Sequence, residues 1–387
     1  MKIIHVSHHY YPVVGGLEKA VQNLVEKLAR MGHEVHVITS RFGAENRPKE
    51  EVINGVYVHR VKTLRPHFPD LTCPLEYVEK VLRDANIVHG HSQNSLFTVK
   101  VIEKAKKLGI KTVIYFMAID ALHDHPNPLV RFLGPYYANY MLKKAIALSN
   151  IKLVKSSRDL EILRNGYGVE AFYVPDGVSE EIVNAPNMAE EFREKYGIRE
   201  PFIVYIGRLH RLKGVDILIK AMSIAVKEYS RLRAVIIGPG DPKPYKELAR
   251  RLGIESNVVF LGHVDEKIKI GALDASIALV LPSICSYVEV FSIVISEAWA
   301  RGKPVISSAV GEIPYRVKHM INGLLAPPRD SKTLAEAIML LAEDKELSIK
   351  LGAEGRKNLM TWNEIASKML KIYEKFHNED VATYTYS

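Results

Sequence analysis

Along the chain, short runs of β-branched and apolar residues alternate with longer stretches in which apolar positions recur every three or four residues. Residues 3–7 predict a strand, and 17–30 a helix with Leu17, Val21, Leu24, Val25 and Leu28 on one stripe. Gly32 stops that helix and 34–39 is the next strand. Further strands are expected at 87–89, 112–116, 151–154 and 172–174, with helices over 95–108, 129–145 and 157–164. Such alternation implies a mostly parallel sheet covered on both faces.

The rhythm resets between 177 and 200, where Gly177, Asn184, Pro186 and Asn187 predict a loop and 188–196 a short helix. After Pro201 a second set begins. Its strands are expected at 202–206, 234–237, 258–261, 278–281 and 304–307, and its helices at 215–228, 243–252, 265–273, 292–301 and 331–342. The expected fold class is therefore α/β, with two Rossmann-like doubly wound domains at residues 1–180 and 181–360. Residues 361–387 form a helix and tail with Ile365, Met369, Ile372 and Phe376 at helical spacing, packing locally or returning to the first domain. Parallel sheets bind ligands beyond the carboxyl ends of their strands. Two such sheets facing across a cleft suit a large ligand.

Composition narrows the classes. A chain of 387 residues suits two domains, and 47% hydrophobic with 25% charged residues argues against disorder, collagen and coiled coil. Two cysteines make no disulfide framework, so a reducing, cytoplasmic location is expected. The opening apolar run is too short for a signal-peptide core, and the most apolar stretch, 277–296, is broken by Pro282 and Glu289. Scarce glutamine (Gln22 and Gln93) beside abundant Lys and Glu leans towards a thermophile. The net charge of +9 reads mainly as solubility, and no basic run is interleaved with aromatics, so nucleic acid is not an expected partner. Lys100, Lys104, Lys106, Lys107 and Lys111 crowd one predicted helix and its exit, reading either as a solvated face or as contact with an anionic membrane.

The candidate chemistry gathers in three loops. Glu289 and Glu297 flank a predicted loop-to-helix turn, with the N–H groups near Phe291, Ser292 and Ile293 between them, a place that attracts phosphate. Eight residues of helix rise about 12 Å, comparable with the span from a sugar to a ribose across a diphosphate. The plainer alternative is that Glu289 caps the helix and Glu297 makes a surface ion pair. Arg208 and Lys213 follow strand 202–206 and suit an anionic diphosphate, while Gly238 follows strand 234–237 in a Gly-Pro-Gly turn. Gly15 and Gly16 precede the first helix, where they read either as permitting close approach of a phosphate or leaving group or as a tight turn. The pairs His89/His91 and His123/His125 have metal-like spacing but no third ligand nearby in sequence, so no metal is expected. His91, at a strand's carboxyl end, is an acceptor-side candidate, and Tyr10 and Tyr11 read as packed aromatics or a sugar platform.

In order, the segments Gly15-Gly-Leu-Glu18, Val174-Pro-Asp-Gly-Val178, 207–214 (GRLHRLKG), 236–241 (IIGPGD), 260–264 (FLGHV) and the Glu289/Glu297 stretch ending Gly302-Lys-Pro-Val305 resemble the retaining family 4 glycosyltransferases of GT-B fold. The resemblance implies that Arg208 and Lys213 bind the donor diphosphate, Glu289 the donor sugar and Glu297 the ribose. Phe291, Ser292 and Ile293 match the backbone over sugar and phosphate, Val264 the base contact, and Gly15 and Gly16 the loop closing on the diphosphate. It further implies a nucleotide-sugar donor (UDP-, GDP- or ADP-linked), a carbohydrate or lipid-linked acceptor, no cofactor and, with no D-x-D triplet present, metal-independent chemistry. Members commonly carry a His where this chain has Ala118 or Ile119; Asp120, His123 or His125 stand in as acceptor-side candidates. Two rival readings are an epimerase of nucleotide sugars on the same fold and a non-catalytic sugar-nucleotide-binding module.

Overall fold

A computed structural model describes residues 1–13, 15–64, 68–76 and 79–384; Val14 of the paired-glycine loop and the last three residues of the tail lie outside them. The chain divides into two compact units, Met1–Gly177 with Trp362–Ser387, and Val178–Thr361.

In chain order the first unit holds β1 (Lys2–Val6), α1 (Gly16–Arg30), β2 (Glu34–Ser40), β3 (Glu50–Ile53), β4 (Val56–Val61), β5 (Thr63–Leu64), β6 (Cys73–Pro74), α2 (Glu79–Leu82) and β7 (Ile87–His91). It continues with α3 (Leu96–Lys107), β8 (Lys111–Phe116), α4 (Pro128–Leu148), β9 (Ile151–Val154), α5 (Ser157–Tyr167) and β10 (Phe172–Tyr173). Eight strands form one sheet in the order β10-β9-β8-β7-β1-β2-β4-β3, parallel except for the β3–β4 hairpin, and β5 and β6 pair separately. That hairpin turns on Asn54-Gly55, both at positive φ, the sequence preferred for a two-residue hairpin loop. Ile4, Val6, Val88 and Ile114 pack with Phe97 and Ile102 of α3 on one face. Alternation sends His5 and His89 to the other face, because side chains switch sides at every residue.

The second unit holds α6 (Glu180–Asn184), α7 (Ala189–Tyr196), β11 (Phe202–Ile206), α8 (Val215–Ala225), β12 (Arg233–Ile237), α9 (Lys243–Arg251), β13 (Val258–Gly262), α10 (Glu266–Ala275) and β14 (Leu279–Leu281). Then come α11 (Ile293–Ala300), β15 (Val305–Ser308), α12 (Ile313–Arg316), β16 (Gly323–Ala326), α13 (Ser331–Glu343) and α14 (Lys345–Arg356). Its sheet is all parallel, β13-β12-β11-β14-β15-β16. Helix α6 replaces part of the loop expected after Gly177: Ser179 accepts from the Glu181 N–H and Ile182 is buried, so a cap and one anchor suffice for a short helix. Helix α14, equally unexpected, starts at the cap Asp344.

The last helix, α15 (Trp362–Tyr384), belongs to the first unit, where it packs on α1 and buries Ile365, Met369 and Tyr373. Both sheets reverse winding beside their first strand: the chain leaves β1 towards β2 and returns on the far side at β7, and likewise leaves β11 towards β12 and returns at β14. Such reversals open a crevice beyond the carboxyl ends of the strands. No helix of the described residues is long and apolar enough to cross a membrane.

Candidate active site

In the second unit, the loops that follow β11 and β14 meet at this reversal. Lys213, in a single 3-10 turn after β11, donates to a Glu289 carboxylate oxygen at 2.7 Å and to the Val288 carbonyl at 3.1 Å. The same oxygen accepts from the Ser283 hydroxyl at 2.5 Å, and the Ser292 hydroxyl donates to the other oxygen. Glu289 is 2% exposed, so this carboxylate is held by a cation and two hydroxyls almost out of water. A buried carboxylate is tolerated only with such partners.

Helix α11 begins immediately afterwards, without a side-chain cap. Among the described residues, the N–H groups of Phe291, Ser292, Ile293 and Val294 donate no hydrogen bond. Arg316 holds the opposite side of this turn: it donates to the carbonyls of Phe291 and, at 3.0 Å, Ser292, reaches the Ser296 hydroxyl at 2.6 Å, and lies 3.8 Å over the Phe291 ring. With the carbonyls engaged and Ser292 left-handed (φ 54°), the turn offers unfilled donors at the positive end of the helix. Such unfilled donors can receive an anion, and a buried acid stands beside them.

Glu297 lies on the second turn of α11, 7% exposed, and accepts from Lys269 of α10 at 2.8 Å. Burial pulls the Lys269 ammonium down, but Glu297 and Glu266 outweigh it and hold the lysine charged. The alternative of a capping Glu289 and a surface-paired Glu297 therefore does not describe these residues. Nor does a continuous helix separate them: α11 starts at Ile293, so the 12 Å rise does not apply.

The remaining second-unit candidates surround this centre. Arg208 is exposed, and among the described residues its guanidinium has no hydrogen bond or ion pair. Gly238 (φ 141°) donates to the Gly262 carbonyl, and a Cβ on it would lie 1.9 Å from the Gly207 oxygen. Glycine is thus what lets the loops after β11, β12 and β13 knit together. Val264, half-buried, packs at the edge of this core.

In the first unit, Gly15 occupies the cap position of α1 with no side-chain bond, and Gly16 is the first helical residue. Ala118 holds φ +52° after β8, its N–H and that of Ile119 bonded to the two Asp159 oxygens at 3.0 and 2.9 Å. Asp120 pairs with Arg158 at 2.5 Å, and His123 is exposed. Tyr10 is buried and Tyr11 exposed beneath Arg47.

His91 corrects the reading as an acceptor-side group. It is 1% exposed, bonded to His5 at 3.0 Å and stacked on His89, because strand pairing sets it on the face covered by α15. The His89/His91 pair has no third histidine close in sequence, but the fold supplies one. The third is His5, 84 residues away in sequence and adjacent through β1–β7 pairing. Ser283, Lys269 and Arg316 are the site residues that sequence reading misses. Ser283 had a usable signal, directly following Pro282 after an apolar strand; the other two act across helices and leave no local pattern.

Comparison with known proteins bears on this geometry. Residues 14–181 match the model of Glycosyltransferase Family 4, and residues 188–358 that of Glycosyl transferases group 1. A D-inositol 3-phosphate glycosyltransferase of Corynebacterium aurimucosum is 32% identical over 416 aligned residues, covering 96% of each chain. Sucrose-phosphate synthase from Thermosynechococcus elongatus superposes with a TM-score of 0.77 at 22% identity, over 98% of this chain and 99% of that one. The Anabaena protein HepE in complex with UDP gives 0.74 at 20% identity, over 97% and 100%. The chain belongs to glycosyltransferase family 4: it is a glycosyltransferase with the GT-B fold.

Proposed function

We propose that the chain is a retaining glycosyltransferase that moves a hexosyl group from a nucleotide-diphosphate sugar, uridine-linked in the first instance, to a hydroxyl of a carbohydrate or lipid-linked acceptor. The observation that carries this reading is the buried Glu289, held by Lys213 beside the uncapped start of α11. Lys213 and Arg208 neutralise the diphosphate, and the N–H groups near Phe291–Ile293 receive its oxygens. Glu289 accepts from sugar hydroxyls and Glu297 from ribose hydroxyls. Val264 lies against the base, and Gly15 and Gly16 admit the diphosphate to the first helix. In the transfer the anomeric carbon–phosphate oxygen bond breaks, the acceptor oxygen bonds the same carbon from the same face, and its proton passes to the departing diphosphate. No cofactor is required for this balance. Uridine is favoured by the UDP in the HepE complex, and a phosphorylated polyol by the name of the Corynebacterium relative.

A lipid-linked acceptor at an anionic membrane is favoured by α4. Leu129, Phe132, Leu133, Tyr136 and Tyr140 form an exposed stripe at helical spacing, with Arg131 and Lys143 exposed on the same helix. The lysines of α3 are less available, since Lys104 pairs with Glu79 and Lys107 with Glu103.

Melting-temperature shifts with UDP, GDP, ADP and their sugar conjugates, followed by turnover assays with and without anionic vesicles, test the reading. Glu297→Ala should abolish most of the shift caused by the free nucleotide, whereas Glu289→Ala should spare that shift and lower turnover by two orders of magnitude or more (roughly the loss of a charge-assisted contact in the transition state). Equal and negligible effects of both substitutions overturn the residue roles. Conversion of the donor with no acceptor present identifies an epimerase instead, and a nucleotide shift without any nucleotide release identifies a binding module.

A further inference from the structure

On the face of the first sheet opposite α3, β1 and β7 place three histidines together. His5 lies in register with His89, and His91 follows two residues later on the same side. The ring centroids of His5 and His89 are 5.0 Å apart, those of His5 and His91 5.3 Å, and those of His89 and His91 4.5 Å. One nitrogen from each ring lies within 4.8 Å of the others. All three side chains are buried, at 0%, 0% and 1% exposure.

Their hydrogen bonds do not close. His5 Nδ1 and His91 Nε2 share one bond of 3.0 Å, and His89 Nδ1 meets the Tyr373 hydroxyl at 2.6 Å. His5 Nε2, His91 Nδ1 and His89 Nε2 are buried without a partner. Two neutral imidazoles that share one hydrogen bond hold two protons between them. If His5 donates, His91 carries its proton on Nδ1; if His91 donates, His5 carries its proton on Nε2. Either tautomer leaves one buried N–H with no acceptor and one lone pair with no donor, a cost that proteins normally avoid. A cation that takes lone pairs from the rings removes the need for the mismatched contact.

The donor set selects the ion. Three imidazoles without a carboxylate or thiolate suit zinc and its late first-row neighbours, and do not suit magnesium or calcium, which require oxygen. We propose that His5, His89 and His91 form a three-histidine site for a zinc-type divalent cation, structural in role, that ties β1 to β7 beneath the C-terminal helix α15. Zinc–nitrogen bonds of about 2 Å bring tetrahedral ligand atoms closer than the widest spacing here, so the rings swing inward on binding. Tyr373 is a positioning residue: when its oxygen accepts from His89 Nδ1–H, the Nε2 lone pair is fixed for the metal, the usual part of an outer partner to a ligating histidine. Burial disfavours the charged form of all three imidazoles. Lys155, which lies over the Tyr115 ring, is compensated by Asp176 at 2.7 Å. Tyr115 stacks on His89 and His91 and closes the side of the cluster towards β8.

The tag-free full chain, stripped with a chelator and then exposed to zinc or to cobalt, tests this. The expected result is one tightly held ion per chain after gel filtration, a visible cobalt spectrum of tetrahedral type, and a melting midpoint that rises with zinc concentration. His89→Gln should lose the ion and the spectrum, while Tyr373→Phe should keep one ion with affinity weakened about 10- to 100-fold. Where His89→Gln fails to fold, the stoichiometry and cobalt spectrum of the unsubstituted chain still decide. A stripped chain that takes up no ion, or binding that survives His89→Gln at full stoichiometry, overturns the site; the second outcome directs attention to the pairs His8/His9 and His36/His59.

Discussion

The two units reverse their sheets at equivalent places and equip them with opposite chemistry. Beyond β11 and β14 stand charged pairs, Lys213–Glu289 and Lys269–Glu297, an exposed Arg208, and an uncapped helix. Beside β1 and β7 the side chains are three uncharged histidines and stacked aromatics, with Gly15 and Gly16 following β1 as backbone alone. The capping pattern sharpens this contrast. Helices α3, α4, α5, α6, α10, α13 and α14 have Ser, Asn or Asp caps that satisfy their first N–H groups, whereas α1, α7, α8, α9, α11 and α12 have none; of the helices that follow the four reversal strands, α3 in the first unit is capped, and α1 in the first unit and both α8 and α11 in the second are not. The proposed diphosphate site uses the uncapped start of α11 beside Lys213. One topology thus supports a polar centre in one unit and a mostly sealed face in the other.

The largest test of this contrast uses one buried ion pair from each unit. Lys155–Asp176 in the first unit has side-chain exposures of 5% and 8%; Lys213–Glu289 in the second has 25% and 2%. Removing the cation strands a buried carboxylate in both, so Lys155→Ala should cost about 3–5 kcal/mol. Lys213→Ala should cost less, roughly 1–3 kcal/mol, because its lysine is partly in water and Ser283 and Ser292 still bond Glu289. Only Lys213→Ala should abolish turnover and weaken nucleotide-diphosphate binding at least tenfold. Denaturant titration alongside nucleotide binding separates the two effects, and comparable loss of binding in both variants would remove the functional distinction between the pairs.

How much of this was legible in the sequence follows from how local each cause is. Strand β11 begins and ends at the expected residues, and α1, α7, α9 and α13 fall within a residue or two, because an apolar period and a glycine or polar cap are written in consecutive residues. Strands β3 and β4 were missed although Asn54-Gly55 announces their turn; the flanking Glu-Glu-Val-Ile and Val-Tyr-Val-His-Arg-Val are too polar on one face to stand out as buried strands. Lys213 and Glu289 were visible as motif residues, but not their mutual bond across 76 positions. Lys269 and Arg316 were invisible for the same reason, and so was His5 as neighbour to His89, since strand order is a tertiary fact. The return of α15 was undecidable from its apolar stripe, which specifies that a helix is covered and not by what.

A finer test compares two glycines, one in each unit. Gly238 is held by its own fold: φ is 141°, and a Cβ would meet the Gly207 carbonyl oxygen at 1.9 Å. Gly238→Ala should therefore destabilise the second unit by roughly 2–4 kcal/mol, combining left-handed strain with displacement of a packed loop. Gly16 has no such reason to be glycine. A Cβ there finds nothing within 4 Å, its φ is not in the left-handed region, and it lies in the first turn of α1. Gly16→Ala should leave stability unchanged or raise it by about 0.5–1 kcal/mol through helix propensity. If Gly16 serves to admit a diphosphate to the helix start, the same methyl should lower turnover about tenfold or more by keeping the ligand from the backbone. Thermal melting and donor kinetics on this one variant therefore move in different directions if the paired glycines are functional. Turnover unchanged in a fully stable Gly16→Ala protein would assign the loop to turn formation alone and confine the phosphate-binding machinery to the second unit.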